Sequence, residues 1–273
     1  MADYDHIRLE DRGFMTWIVL DRPESANALS HDLLDELSGA LAALKADGGT
    51  VIGIRGEGRG FSAGYDLAAL DLESASFDPI ADRERLQRYV DGWLELWDHP
   101  KPIIAAVHGY CIGGATQLCT YADITIVAED VKIGQAMIPV GGGFVTPLWV
   151  PLVGPKRAKE LAFVAGDTLD GRTAVEWGWA NRAVPADELI SATEELAERV
   201  ARMPADVLRI KKLSINRAAE ATGPRGATAG VAEMDALLHA APSVQAIRDW
   251  VAEVGVKAAV EAYRTGQGVP DAV

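Results

Sequence analysis

Apolar and polar positions divide the chain into short extended runs followed by a long helical region. Residues 6 to 20 hold two extended runs, HIRLE and FMTWIVL, separated by Asp11, Arg12 and Gly13. That pattern predicts a hairpin. After the turn-rich DRPESANAL, Ser30 is placed to cap a helix reaching about Lys45, with Leu33, Leu34, Leu37, Leu41 and Leu44 along one face. TVIGIRG reads as a buried strand followed by a glycine-laden loop, GEGRGFSAGYDL. Helical periodicity returns from about Asp82 to Leu96, Pro100 and Pro102 end it, and IIAAV is the next strand. A second glycine stretch, GYCIGGATQLC, then opens what reads as a helix.

Beyond it, ADITIVAE is a strand, VKIGQ a candidate strand and GGGFVTP a loop. Residues 155 to 165 read as helix, and GDTLDGRTAVEWGWANRAVP as turn, short helix and short strand. From Ala186 to about Arg264 the pattern is almost wholly helical, with breaks at Pro204, near 223 to 226, and at Pro242. Buried strands alternating with helices predict an α/β packing. The expected division is a strand-and-helix core over 1–190 and a helical part over 191–273. Val231, Leu237 and Leu238 require a partner, either that core or another subunit.

The 273 residues carry a formal net charge of -14, so no basic footprint marks a nucleic-acid binder. No apolar run has the length of a membrane span, and the N-terminus MADYDHIRLEDRG lacks the pattern of a secretion signal. The two cysteines, Cys111 and Cys119, match neither a metal spacing nor a CxxC pair. They read as buried free thiols and suit a reducing, cytoplasmic setting.

The glycine loops do not fit the common nucleotide signatures. GEGRGFSAG puts Phe61 where a dinucleotide fingerprint needs its last glycine. GGGFVTP lacks the Lys-Ser/Thr of a phosphate loop, and no GxSxG occurs. The histidines show no metal-ligand spacing, so no metal is expected. Another use of glycine remains. The first N–H groups of a helix have no internal partner and carry the positive end of its dipole. Two such loops after neighbouring strands could aim two N–H donors at one oxygen, and one such donor can contribute roughly 3 to 4 kcal/mol to a transition state.

At this point the sequence resembles the crotonase family, the enoyl-CoA hydratase/isomerase superfamily. The resemblance lies in DRPESANALS at 21–30, GRGFSAGYDL at 58–67, KPIIAAVHGYCIGG at 101–114, ADITIVAEDVKIG at 122–134 and GPKRAKELAFVAGDTLDGRTAVEWGWANRAVP at 154–185. It implies a spiral of ββα units with a helical C-terminal part, assembled as a homotrimer or a hexamer of two trimers. It implies acyl-CoA as ligand, with coenzyme A entering as part of the substrate and no tightly bound cofactor. The Tyr65 and Gly114 N–H groups correspond to the family's oxyanion hole. Asn27, Ala28 and Leu29 correspond to the adenosine-holding loop. Ser62, Ala63, Asp66 and Leu67 would flank pantetheine and adenine, and Lys211 or Lys212 and Arg264 are candidates for the phosphates. The family's helix beginning near Asp82, Glu84 and Arg85 overlies the acyl pocket.

Two departures matter. Gln117 stands where family hydratases place one glutamate, and Met137 where they place the other. An amide cannot titrate and a thioether can serve as neither acid nor base. Two-glutamate hydration is therefore disfavoured. Decarboxylation, carbon–carbon cleavage, thioester hydrolysis or an unusual lyase or isomerase reaction is expected instead, with a non-catalytic acyl-CoA binder and a hydratase with a relocated acid/base as alternatives. Trp93, Trp97, Met137, Phe144 and Trp149 could line the acyl pocket or fill core.

Overall fold

The computed structural model describes residues 4–66, 77–141, 146–220 and 223–269. Nine strands occur among them: β1 (Ile7–Asp11), β2 (Met15–Leu20), β3 (Val51–Gly56), β4 (Ile103–Val107), β5 (Tyr110–Ile112), β6 (Ile124–Ala128), β7 (Lys132–Gly134), β8 (Thr168–Leu169) and β9 (Arg182–Val184). The helices are α1 (His31–Leu44), α2 (Pro79–Asp98), α3 (Gly114–Tyr121), α4 (Val150–Phe163), α5 (Gly171–Trp177), α6 (Leu189–Ala201), α7 (Ala205–Ala219), α8 (Pro224–Ala227), α9 (Val231–His239), α10 (Pro242–Val254) and α11 (Val256–Thr265).

Six strands form one sheet in the order β1-β2-β3-β4-β6-β9. The hairpin pair β1–β2 is antiparallel, and every later neighbour is parallel. Parallel strands need both faces covered, which is why MTWIVL and IIAAV are almost wholly apolar and buried along their whole length. Helix α6 lies across β2, β3, β4 and β6, while α1 packs on β1 and β2. A second sheet, β5-β7-β8, stands at the carboxyl ends of β4 and β6. Strand, strand and helix thus recur around the spiral: the crotonase-type α/β architecture with a helical C-terminal part.

Local signals agree with the sequence reading at most joints. Ser30 Oγ accepts from the Leu33 N–H at 3.3 Å and caps α1. Cys111 and Cys119 are buried free thiols, with sulfurs 3.8 Å apart. Three features differ. Helix α2 begins at Pro79, capped by the Asp78 carboxylate, rather than at Asp82. Helix α4 begins at Val150 and bends at Gly154 (φ 79°), so the expected helix 155–165 is its second half. Gly255, at φ 84°, separates α10 from α11. Among the described residues no helix is long and apolar enough to cross a membrane.

The helical part is tied to the core by a buried charge pair. Lys212 of α7 reaches Asp123 at 2.7 Å and also donates to the Leu96 and Lys101 carbonyls. Burial pushes the Asp123 carboxyl up and the Lys212 ammonium down, each restrained by the other's charge. Asn216 donates to the Trp97 carbonyl at 2.7 Å. Two residues of α7 therefore hold the last turn of α2.

Candidate active site

Neighbouring parallel strands deliver their following loops side by side, and β3 and β4 are neighbours. The two loops pair: the Ser62 N–H bonds the Tyr110 carbonyl at 3.2 Å, and the Ile112 N–H bonds the Ser62 carbonyl at 3.1 Å. Tyr65 and Gly114 each lie three positions beyond the Ser62–Cys111 bridge. Leu29 bonds both flanks of Tyr65, donating to the Gly64 carbonyl at 2.8 Å and accepting from the Asp66 N–H at 3.3 Å. In a parallel bridge this turns the peptide groups of Tyr65 itself away from Leu29.

Glycine is required at the closest approach. Gly64 sits at φ 93°, and a Cβ there would lie 2.6 Å from the Ile112 carbonyl oxygen and 3.1 Å from the Gly114 nitrogen. Gly113, at φ 53°, turns the chain into α3 while its N–H bonds the Gly134 carbonyl at 2.9 Å. Among the described residues the Gly114 N–H, at the mouth of α3, meets no backbone acceptor.

The Tyr65 side chain covers this mouth. A Cβ at Gly114 would stand 2.6 Å from its Cδ2. Its hydroxyl donates to Gln117 Oε1 at 2.5 Å and accepts from Trp93 Nε1 at 2.9 Å. The ring stacks on Tyr89, centroids 4.8 Å apart. Burial holds the Tyr65 phenol well above the ordinary tyrosine range, so it stays a hydrogen-bond donor. Gln117 is fully buried beneath it and does not line the adjoining cleft.

That cleft has a volume of about 640 Å³. Leu29, Ala63 and Asp66 line it from the loop side, and Met137 and Ile138 from the segment after β7. The opposite wall is helical: Arg85 and Tyr89 from α2, and Asp235 and His239 from α9. His239 Nδ1 lies 2.7 Å from Asp82 Oδ2, and its Nε2 lies 3.8 Å from Asp235. Arg85 pairs with the other oxygen of Asp82 and lies 5.6 Å from the Tyr89 ring centroid. Burial pushes the Asp82 carboxyl up, but the hydrogen bonds from His239 and Arg85 outweigh it and hold the group below the usual carboxylate range.

The residues singled out in the sequence fall into groups. Leu29, Ala63, Tyr65, Asp66, Gly114 and Met137 come together around the cleft. Asn27 and Ser62 are buried beneath it: Asn27 donates to the Glu57 and Gly60 carbonyls, and Ser62 Oγ donates to the Asn27 carbonyl at 2.7 Å. Ala28 is half-buried beside them, and its carbonyl accepts from Arg22. Asp66 pairs with Arg22 at 3.1 Å. Lys211 and Arg264 are exposed and do not line the cleft, and Arg264 pairs with Glu261. Leu67 and Phe144 lie outside the described residues. Trp93 and Trp149 are core, the latter stacked on Trp179. Trp97 packs half-buried against the core.

Asp235 and His239, which also line the cleft, are not among the residues that the sequence singles out. Their signal was two ionisable residues four apart on the buried face of a helix whose other face exposes Leu237.

The family profile described as Enoyl-CoA hydratase/isomerase matches residues 12–258. A probable mitochondrial enoyl-CoA hydratase of Dictyostelium discoideum is 31% identical over 224 residues, covering 80% of this chain and 77% of that protein. The crystal structure of a putative enoyl-CoA hydratase/isomerase from Novosphingobium aromaticivorans is 51% identical with a TM-score of 0.90, covering 95% of each chain. That of an enoyl-CoA hydratase/isomerase from Xanthobacter autotrophicus is 32% identical with a TM-score of 0.89, covering 98% of this chain and 100% of that one. With its fold and nearly its whole length matched, the chain belongs to the enoyl-CoA hydratase/isomerase family, the crotonase superfamily.

Proposed function

We propose that the protein is an enzyme that processes an acyl-CoA thioester through an enolate or related oxyanion, held by the backbone N–H groups of Tyr65 and Gly114, in a reaction other than two-glutamate hydration. The observation that carries this reading is the pairing of the two glycine loops, which sets those backbones side by side at the mouth of α3 and at the edge of an apolar cleft. Preorganised donors of this kind stabilise charge that develops on a thioester oxygen.

The chain lacks both family glutamates. Gln117 is a non-titrating amide occupied by the Tyr65 hydroxyl, and Met137 offers the cleft a thioether. Decarboxylation, carbon–carbon cleavage, thioester hydrolysis or an unusual lyase or isomerase step fits such a site, because each can proceed from the held oxyanion with proton transfer arranged elsewhere. A second reading, a hydratase with a relocated acid/base, is favoured by the Asp82–His239 pair in the opposite wall.

In this reading residues 1–190 supply the loop wall of the acyl-CoA site, and α9 lines the cleft from the other side. Leu29, Ala63 and Asp66 contact the acyl-CoA directly, Ala28 flanks it, and Asn27 and Ser62 shape the loop from beneath. Lys211 and Arg264 serve the phosphates. Residues 191–273 pack the subunits into a homotrimer or a dimer of trimers, using apolar residues that α7 leaves exposed, such as Ile210 and Ile215.

Calorimetry with hexanoyl-CoA tests the reading: binding that Gly114→Val abolishes is expected, and no binding by the wild type would sink it. Loss of enoyl absorbance from crotonyl-CoA tests the exclusion of two-glutamate hydration. Rapid turnover abolished by Gln117→Ala would overturn that part. Binding without turnover of any acyl-CoA would leave a non-catalytic binder.

A further inference from the structure

Enolate chemistry leaves a proton to be moved, and neither Gln117 nor Met137 can move it. We propose that His239, held by Asp82, is the general base of the cleft and takes a proton from the carbon next to the thioester carbonyl. This rests on the acyl-CoA reading above.

The geometry is specific. Asp82 accepts from both His239 Nδ1 and Arg85. An ionised carboxylate can only accept, so a proton sits on Nδ1, and in the proposal Nε2 supplies the lone pair. Nε2 points to the cleft wall at Gly141, where a Cβ would stand 3.1 Å away. A buried histidine beside a carboxylate often serves only to tie two helices together. Here Asp82 also has a counter-charge in Arg85, and His239 lines the cleft as well as the seam between the two helices. Asp235 stands 3.8 Å from Nε2, within range to stabilise the imidazolium once formed.

In the step, the Cα–H bond breaks and its proton passes to Nε2. The electron pair enters the Cα–C bond, and the negative charge collects on the thioester oxygen. Return of the proton from Nε2 to carbon restores the imidazole, with no oxidant or reductant. Asp82 is a positioning residue. Among the described residues Asp82 of α2 and Asp235 of its own helix face the His239 ring, Arg85 pairs with Asp82, the Arg83–Glu233 pair joins the same two helices, and Gln245 of α10 donates to the His239 carbonyl. Helix α10 packs on α9.

The test incubates the intact protein with hexanoyl-CoA in D₂O and follows deuterium entering the acyl chain by mass spectrometry. The wild type is expected to exchange, faster as pH rises through one titration. His239→Gln is expected to bind hexanoyl-CoA yet exchange about 10²- to 10⁴-fold more slowly. Asp82→Asn is expected to slow exchange and move the pH midpoint downward, because the imidazolium loses its carboxylate. A purely structural tie would leave that midpoint in place. Should His239→Gln fail to fold, carbon-labelled histidine spectra of the wild type decide: the His239 resonance shifts on adding hexanoyl-CoA if the proposal holds. Exchange by His239→Gln at the wild-type rate, an unmoved His239 resonance, or wild-type binding without exchange would each overturn the base while sparing the acyl-CoA reading. Absence of hexanoyl-CoA binding would remove both.

Discussion

One wall of the cleft is made of backbone and the other of side chains. In the proposed reading the chemistry of the loop wall belongs to peptide N–H groups at Tyr65 and Gly114, which parallel strands and glycines bring together. That of the helical wall belongs to Asp82, Arg85, Asp235 and His239, where the central contact joins residues 157 apart in sequence. A backbone donor survives any substitution that leaves the chain path intact. A side-chain acid or base is lost with one substitution. Within one family, the first wall can therefore stay constant while the second is rebuilt for a different proton transfer.

Substitutions that strike one wall and spare the other sharpen this contrast. The largest effect is expected from Gly114→Val, whose side chain collides with the Tyr65 ring and displaces the donor beside it. Hexanoyl-CoA exchange should fall by about 10²- to 10³-fold or more. A rate within a factor of a few of wild type would mean the loop wall is not the oxyanion site. Lys212→Met attacks the anchor of the helical wall. It takes the counter-charge from the mostly buried Asp123 carboxylate and removes one of the two α7 ties to the last turn of α2, and urea denaturation should show a loss of about 3 to 5 kcal/mol.

Tyr65→Phe is gentler. It keeps the stack on Tyr89 but leaves Gln117 Oε1 and the Trp93 N–H without the hydroxyl they share. Stability should drop by about 1 to 3 kcal/mol, read as a lower urea midpoint. Acid should also loosen the helical wall. The Asp82 carboxyl is held below its unfolded value, so its contribution is fully present above about pH 4 and is lost as pH falls through the folded value. Melting curves from pH 6 downward should show this decline, and Asp82→Asn should flatten it. The smallest effect is expected from Arg264→Ala. Being exposed and, among the described residues, paired with Glu261 along its helix, it should leave melting unchanged and weaken acyl-CoA binding about threefold, less in high salt.

The two walls also differed in how far they could be read from the chain. The loop wall was readable because its device is local: an apolar strand, a turn, and glycines where backbone must come close. The amide at 117 and the thioether at 137 stood out for the same reason, each at a fixed offset from a recognisable strand or glycine pair. The hairpin, the Ser30 cap and the buried parallel strands came from apolar runs long enough to show a period. Strands β5 and β8, at three and two residues, have no period to show. Nothing local links Asp82 to His239. Their pairing exists only once α9 packs on α2, and until then each reads as an ordinary charge on a helix. The seat of the Tyr65 ring over Gly114 is likewise a matter of side-chain packing rather than spacing.

That seat limits the order in which this protein could change. Replacing Gln117 with glutamate is a single step on paper, but it would place the new carboxylate under an aromatic lid, bound by a phenol hydroxyl and shut off from the ligand. The substitution would cost stability and return no proton transfer. A carboxylate at position 117 could meet a ligand only once a smaller side chain at residue 65 had opened the floor of the cleft. Residues 65 and 117 therefore form a pair in which the order of substitution matters.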